Sequence, residues 1–296
     1  MTTEPPVERC STAARSRGDQ VAGSATQVRS FLLVEAPVPW GEVALRDSRL
    51  PPAAKGWLRA EAAATGVRVL LIRRPGRSAP RTTRVFAVRT GEWCETTELD
   101  RVQDITSVDI PALARGRSPG LTPWHEPLVL VCTHGRHDAC CAERGRPVAL
   151  ALSALRPEAV WECSHLGGDR FAGNVAVLPH GLGYGWVTEE AAPRLLDDLD
   201  QGRVTLDLLR GRATLPMAAQ FAEIELRRTL GETRDAAVRC LDVSRQGDRT
   251  AARFEVAGAV HELTVRTTPG PPAALTCGAR RDNPVPHHEV VASARL

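Results

Sequence analysis

The run PLVLVCTHGRHDACC (127–141), followed by a helix-patterned segment and then by VWECSHLGGDRFAGN (160–174), decides how this chain is read. Four of the eight cysteines (Cys132, Cys140, Cys141, Cys163) and three of the eight histidines (His134, His137, His165) fall inside it. Leu128 to Val131 is an unbroken apolar run that reads as a buried strand and delivers Cys132 to its end. The segment from Arg144 to Leu155 has the apolar spacing of a helix. Cys140 and Cys141 therefore lie near a helix N-terminus, where free N–H groups and the helix dipole favour thiolate over thiol. Ala159 to Ser164 reads as a second strand ending at His165 in a Gly-Gly loop. Two strand-end loops rich in soft donors are a way to close a metal site.

Working outward, the order strand, helix, strand, strand, strand occurs twice. Before residue 120 it is Phe31–Val34, the helix-forming stretch Ala53–Thr65 stopped by Gly66, then Val67–Ile72, Val85–Val88 and Glu92–Thr96. After it come Leu128–Cys132, the helix at 144–155, Val160–Ser164, Val175–Leu178 and Tyr184–Val187. The offset between corresponding elements is roughly 90–96 residues, which points to a duplicated domain, since solenoid periods are shorter. The fold expected is α/β: two thioredoxin-like units in tandem, 1–120 without cysteine ligands and 121–210 with them, plus a C-terminal α+β extension, 211–296. In that extension Pro216 opens the helical MAAQFAEIELRRTL, closed by Gly231. The runs VRCLDV (238–243), ARFEV (252–256) and HELTV (261–265) read as a small antiparallel meander. Cys240 is expected to pack inward there. Cys10, Cys277 and the pair His287-His288 read as incidental thiols and surface histidines rather than ligands.

Cys132 and Cys141 with eight residues between them, followed by HLGGDRFA (165–172), resemble the signature of the sucrase/ferredoxin-like family, relatives of thioredoxin-like ferredoxins. The resemblance implies a [2Fe-2S] cluster held by two cysteines and, in one branch, by two histidines spaced H-x-G-G-H. Here the first histidine is His165, and the second position is Asp169. By spacing and resemblance Cys132 and Cys141 are the thiolate ligands, with Cys140 a competitor one residue away. His165 is the third ligand through the resemblance. The fourth falls to Asp169, in the family's ligand position, or to the softer Cys163, two residues before His165 and on the same side of an extended segment. His134, His137 and Arg170 are candidates to hydrogen-bond the site, and Gly167 and Gly168 to let backbone approach it closely. A histidine ligand raises the reduction potential above that of an all-cysteine plant-type centre. The reading is a one-electron carrier serving a redox partner protein, rather than a catalyst on a small molecule. Tetrahedral zinc on the same Cys/His donors is the alternative. A thiol-redox enzyme would show C-x-x-C after the first strand, and none stands there.

Composition limits the other classes. A net charge of +3 is too small to argue for nucleic acid, and no apolar run is long enough to span a bilayer. The polar N-terminus lacks the apolar core of a secretory signal, so a cytoplasmic chain is expected, with cysteines that serve as ligands or redox groups rather than disulfides. Arg73, Arg74, Arg77, Arg81 and Arg84 crowd one loop and read either as a docking patch for an acidic partner or as ordinary solvated charge.

Overall fold

The computed structural model describes residues 8–76 and 80–296. The first half holds α1 (Cys10–Arg17), β1 (Ser30–Glu35), α2 (Ala44–Asp47), α3 (Pro52–Thr65), β2 (Arg68–Arg73), β3 (Thr83–Arg89), β4 (Trp93–Leu99), α4 (Ile110–Ala114) and β5 (Thr122–Pro123). The second holds β6 (Leu128–Cys132), α5 (Ala139–Leu155), β7 (Val160–Cys163), β8 (Val175–Leu178), β9 (Leu182–Tyr184), α6 (Ala192–Asp200) and β10 (Leu209–Arg212). Then follow α7 (Met217–Leu230) and four strands, β11 (Val238–Gln246), β12 (Arg249–Val256), β13 (Ala259–Ala273) and β14 (Asn283–Arg295).

Strands β1 to β10 form one mixed sheet in the order β10-β9-β8-β6-β7-β2-β1-β3-β4-β5. The pairing is the same on either side of its middle. β1 pairs parallel with β2 and antiparallel with β3, which pairs with β4. Likewise β6 pairs parallel with β7 and antiparallel with β8, which pairs with β9. The two units meet where β2 runs antiparallel to β7, with Ile72 opposite Cys163. Alternation along each strand sorts side chains to two faces. Val129, Val131, Val160 and Val175 pack under Val148 and Leu152 of α5, while Leu32, Val34 and Leu71 pack under Ala54 and Leu58 of α3. The opposite face, with Phe31, Leu33, Leu70 and Phe86 from one unit and Leu128, Leu130 and Trp161 from the other, forms a core common to both.

The C-terminal sheet runs β11-β12-β13-β14, all antiparallel, and joins the second unit's core through α7. The meander read from sequence is present, and a fourth strand extends it. Prolines hide that strand: Pro269 faces Pro286 and Pro272 faces Pro284 along β13 and β14, and proline cannot donate to a ladder. Helix α5 starts five residues earlier than its apolar spacing indicated. Gly145 and Pro147 interrupt the pattern, but Asp138 caps the true start by accepting the Cys140 N–H at 2.8 Å. The hairpin strand expected at 184–187 is instead 182–184, because Trp186 takes a left-handed φ of 55° and leaves the ladder. Among the described residues no helix is long and apolar enough to cross a membrane.

Three of the loop arginines, Arg73, Arg74 and Arg84, are engaged within the fold. Arg73 pairs with Glu162 at 2.6 Å and lies over the Trp40 ring. Arg74 donates to the carbonyls of Pro157, Glu158 and Val160 and lies over Trp161. Arg84 pairs with Glu98. Arg77 lies outside the described residues. Three of these side chains thus fasten one unit to the other or to its own sheet.

Candidate metal centre

Cys132 ends β6, and Cys141 stands in the first turn of α5. Helix and strand approach closely because Gly145 lies beside the Cys132 carbonyl, where an added Cβ would come within 2.1 Å of that oxygen. Cys141 is one helical turn before Gly145 and shares its face, so the close seat brings its thiol over the strand end. Hydrogen bonding from Cys141 first of all, then from His165 and the backbone of His134 and Leu166, holds Cys132 well below the usual thiol range against the cost of burial. The Cys141 thiol is pushed upward by the same contact.

Asp169 is the hub of the opposite wall. It is buried, accepts from the Cys141 thiol at 3.3 Å, and stands 2.9 Å from His165 Nδ1 and 3.7 Å from His137 Nε2. The His165 contact is short but misaligned, leaving its buried Nδ1 without a well-formed hydrogen bond. Burial works against the His165 cation, yet Asp169 and the Cys132 sulfur outweigh it and raise the pKa to about 9. The His137 and His165 rings lie 3.9 Å apart between centroids, and His137, His165 and Asp169 form a donor trio suited to a metal ion. His134 is buried and occupied: its Nδ1 accepts the His165 N–H and its Nε2 meets the Gly41 carbonyl at 2.8 Å. His137 Nδ1 meets the Glu42 carbonyl at 3.2 Å. The cysteine-free loop of the first unit thus covers the histidines of the second.

The remaining sequence candidates go elsewhere. Cys163 is in register with Cys132 and packs in the apolar core that Cys132 and Cys141 also line, where burial pushes its thiol up. Its pairing with His165 required an extended segment through both, and β7 ends at Cys163. Cys140 turns from Cys141 into a second group with Cys10, Cys277 and Asp138, whose donor atoms lie close enough together to hold a metal ion. Arg170 faces Asp19, with Nε 3.1 Å from Oδ2, and its carbonyl accepts from the Trp186 indole. Gly167 and Gly168 do admit a close approach at left-handed φ, but from Thr26 and Arg210 rather than from the donor atoms. His288 is a buried residue that meets Thr267 Oγ1 at 2.9 Å, and Cys240 is half-buried against the core.

Two arginines missed in the sequence, the buried Arg210 and the half-buried Arg68, hold the His165–Asp169 loop. Arg210 donates to the Gly167 carbonyl at 2.9 Å, to Asn174 Oδ1 at 2.6 Å and to Ser24, and burial lowers its pKa to about 10. Arg68 donates to the His165 carbonyl at 2.8 Å. Both reach in from remote strands, so no spacing near the cysteines announces them.

The fold and the site define a mixed α/β protein with two groups of metal-capable donors, one at the N-terminus of α5 and one in the loops beside it. A family model described as sucrase/ferredoxin-like matches residues 21–211, and the chain belongs to that family. None of the curated proteins and none of the solved structures matches it.

Proposed function

We propose that the chain is an iron-sulfur electron carrier that binds one [2Fe-2S] cluster through Cys132, Cys141, His165 and Asp169. One observation carries the reading: the buried Cys141 thiol and the His165 imidazole both meet the buried Asp169 carboxylate, at 3.3 and 2.9 Å, beside Cys132 at the end of β6. Four donors are what such a cluster takes, two per iron, and when bound it supplies one-electron transfer. The chain's own residues support that role. Backbone hydrogen bonding at Cys132 stabilises added negative charge, as do the nearby cations Arg68 and Arg210. His137 and His165, whose side chains are 31% and 29% exposed, form the edge that a partner protein reaches. Repetition of the strand pairing supports two thioredoxin-like copies, of which the first (1–120) lends its 41–42 loop as a cover, the second (121–210) carries the cluster, and 211–296 braces it. The carrier works in the cytoplasm between redox proteins.

Protein purified without oxygen should be coloured, bleach with dithionite, and hold about two irons and two sulfides per chain. Cys163→Ser should keep the cluster, whereas Asp169→Ala should lose it or shift its spectrum. Colourless protein whose metal is zinc, displaced by Cys132→Ser, would refute the carrier and make this site a structural one. Loss of the spectrum in His137→Ala with Asp169→Ala unaffected would transfer the fourth position to His137.

A further inference from the structure

Cys10, Cys140 and Cys277 come from the N-terminal helix, the start of α5 and the β13–β14 loop, yet their sulfurs form one triangle. Its edges are 3.3 Å (Cys140–Cys277), 3.6 Å (Cys10–Cys140) and 3.6 Å (Cys10–Cys277). Asp138 closes the fourth corner, its Oδ2 standing 3.7 Å from the Cys10 sulfur. Cys10, Asp138 and Cys140 are buried, and Cys277 is half-buried, leaving one side for entry.

We propose that this group is a separate tetrahedral site for a soft divalent cation, zinc by donor chemistry, with Cys10, Cys140 and Cys277 as thiolate ligands and Asp138 as the fourth. The dimensions favour a single ion over a cluster. Zinc–sulfur bonds of about 2.3 Å at tetrahedral angles set sulfurs about 3.8 Å apart, close to the observed triangle, whereas thiolates serving different irons stand further apart. Asp138 is fixed for the role by its backbone contacts: Oδ1 accepts the Cys140 N–H at 2.8 Å and Oδ2 the Cys277 N–H at 2.6 Å. The Ser11 hydroxyl donates to the Cys140 sulfur at 3.2 Å, a hydrogen bond that supports a ligating thiolate. Bound metal would clamp α1 and the C-terminal hairpin onto the helix that also carries Cys141. The two centres would then share α5 while using different cysteines.

The test is metal analysis of the full chain with Cys132 and Cys141 both replaced by serine, which removes the first site's thiolates. That variant should hold about one zinc per chain and, when stripped and titrated with Co²⁺ under reducing conditions, develop the visible bands of tetrahedral thiolate coordination. Adding Cys277→Ser, at the half-buried corner where folding is least at risk, should abolish the stoichiometric zinc and weaken the Co²⁺ bands, with the circular dichroism spectrum checking the fold. No zinc and no tetrahedral Co²⁺ spectrum in the double variant would overturn the proposal. So would zinc that persists after Cys277→Ser, or a Cys140–Cys277 disulfide recovered from protein kept reduced. Iron and sulfide in the unaltered chain report on the first site alone, so failure of either reading is seen separately.

Discussion

Replacing Gly145 by alanine sets two effects of known sign against each other. In a helix interior alanine is favoured over glycine by about 1 kcal/mol. The new Cβ would meet the Cys132 carbonyl oxygen at 2.1 Å, against a carbon–oxygen contact of about 3.3–3.6 Å. That obstacle is backbone and cannot swing aside, so α5 must lift by about 1 Å, an overpacking cost of about 1–3 kcal/mol. With the contact this severe the upper end applies, and net destabilisation should be about 2 kcal/mol. Gly56 in α3 is the matched control, because nothing lies within 4 Å of its added Cβ. Urea unfolding should therefore show a lowered midpoint at unchanged slope for Gly145→Ala and a raised one for Gly56→Ala. The lifted helix also draws Cys141 from Cys132, so cluster retention should fall in the first variant and hold in the second. A stabilised Gly145→Ala protein would refute the close seat of α5 on β6, and with it the juxtaposition of the two thiols.

Arg210→Met should lower the unfolding free energy by about 1–3 kcal/mol, because it strands the Gly167 carbonyl and Asn174; equilibrium denaturation measures it, and unchanged stability would contradict the bracing role. Arg227 is fully buried, pairs with Glu223 at 2.9 Å and donates to the Arg234 and Asp235 carbonyls, so Arg227→Met, which takes a partner from a buried carboxylate, should cost about 3–5 kcal/mol. Burial acts against the Asp235 carboxylate, but His180 and Arg212 outweigh it and hold its pKa below the usual range. Its folded value thus lies below the unfolded value of about 3.9, and its contribution is complete above that pH and lost progressively as pH falls from there through the folded value. Asp235→Asn should flatten the acid limb of stability against pH, and an unchanged limb would place the effect elsewhere.

Much of this fold was legible in the chain because its strands are short apolar runs set off by glycine. The runs at 128–132 and 160–163 were read almost to the residue, as was the α7 helix between Pro216 and Gly231. Elements whose formation depends on distant partners were not legible. β10 carries Arg210 and Gly211 and becomes a strand only through the neighbouring β9, with a bulge at its start. β14 is stable because β13 matches its prolines. The site follows the same division. The Cys132, Cys141, His165 and Asp169 set lies within one supersecondary unit, whereas Cys10, Cys277, Arg68 and Arg210 are supplied by segments far off in sequence. A lone cysteine in a polar segment has no local pattern that separates a ligand from an incidental thiol.

The adjacent Cys140 and Cys141 show why the ambiguity between them was physical and not one of alignment. Had the segment been extended, neighbours would point to opposite faces, and one would be discarded. In the first turn of a helix, successive side chains are instead about 100° apart. Cys141 then looks over the end of β6 toward Cys132 and Asp169, while Cys140 looks toward α1 and the β13–β14 loop. Cys140 is lowered to about 6 by donation from Cys10 and Ser11 despite its burial, whereas Cys141 is pushed up by Cys132 and by burial. The choice between the two cysteines therefore has no single answer, since each serves a different set of donors. A one-residue shift in the Asp138 cap would exchange them, and Asp138 is bound at both oxygens, to Cys140 and to Cys277, in a way that prevents it.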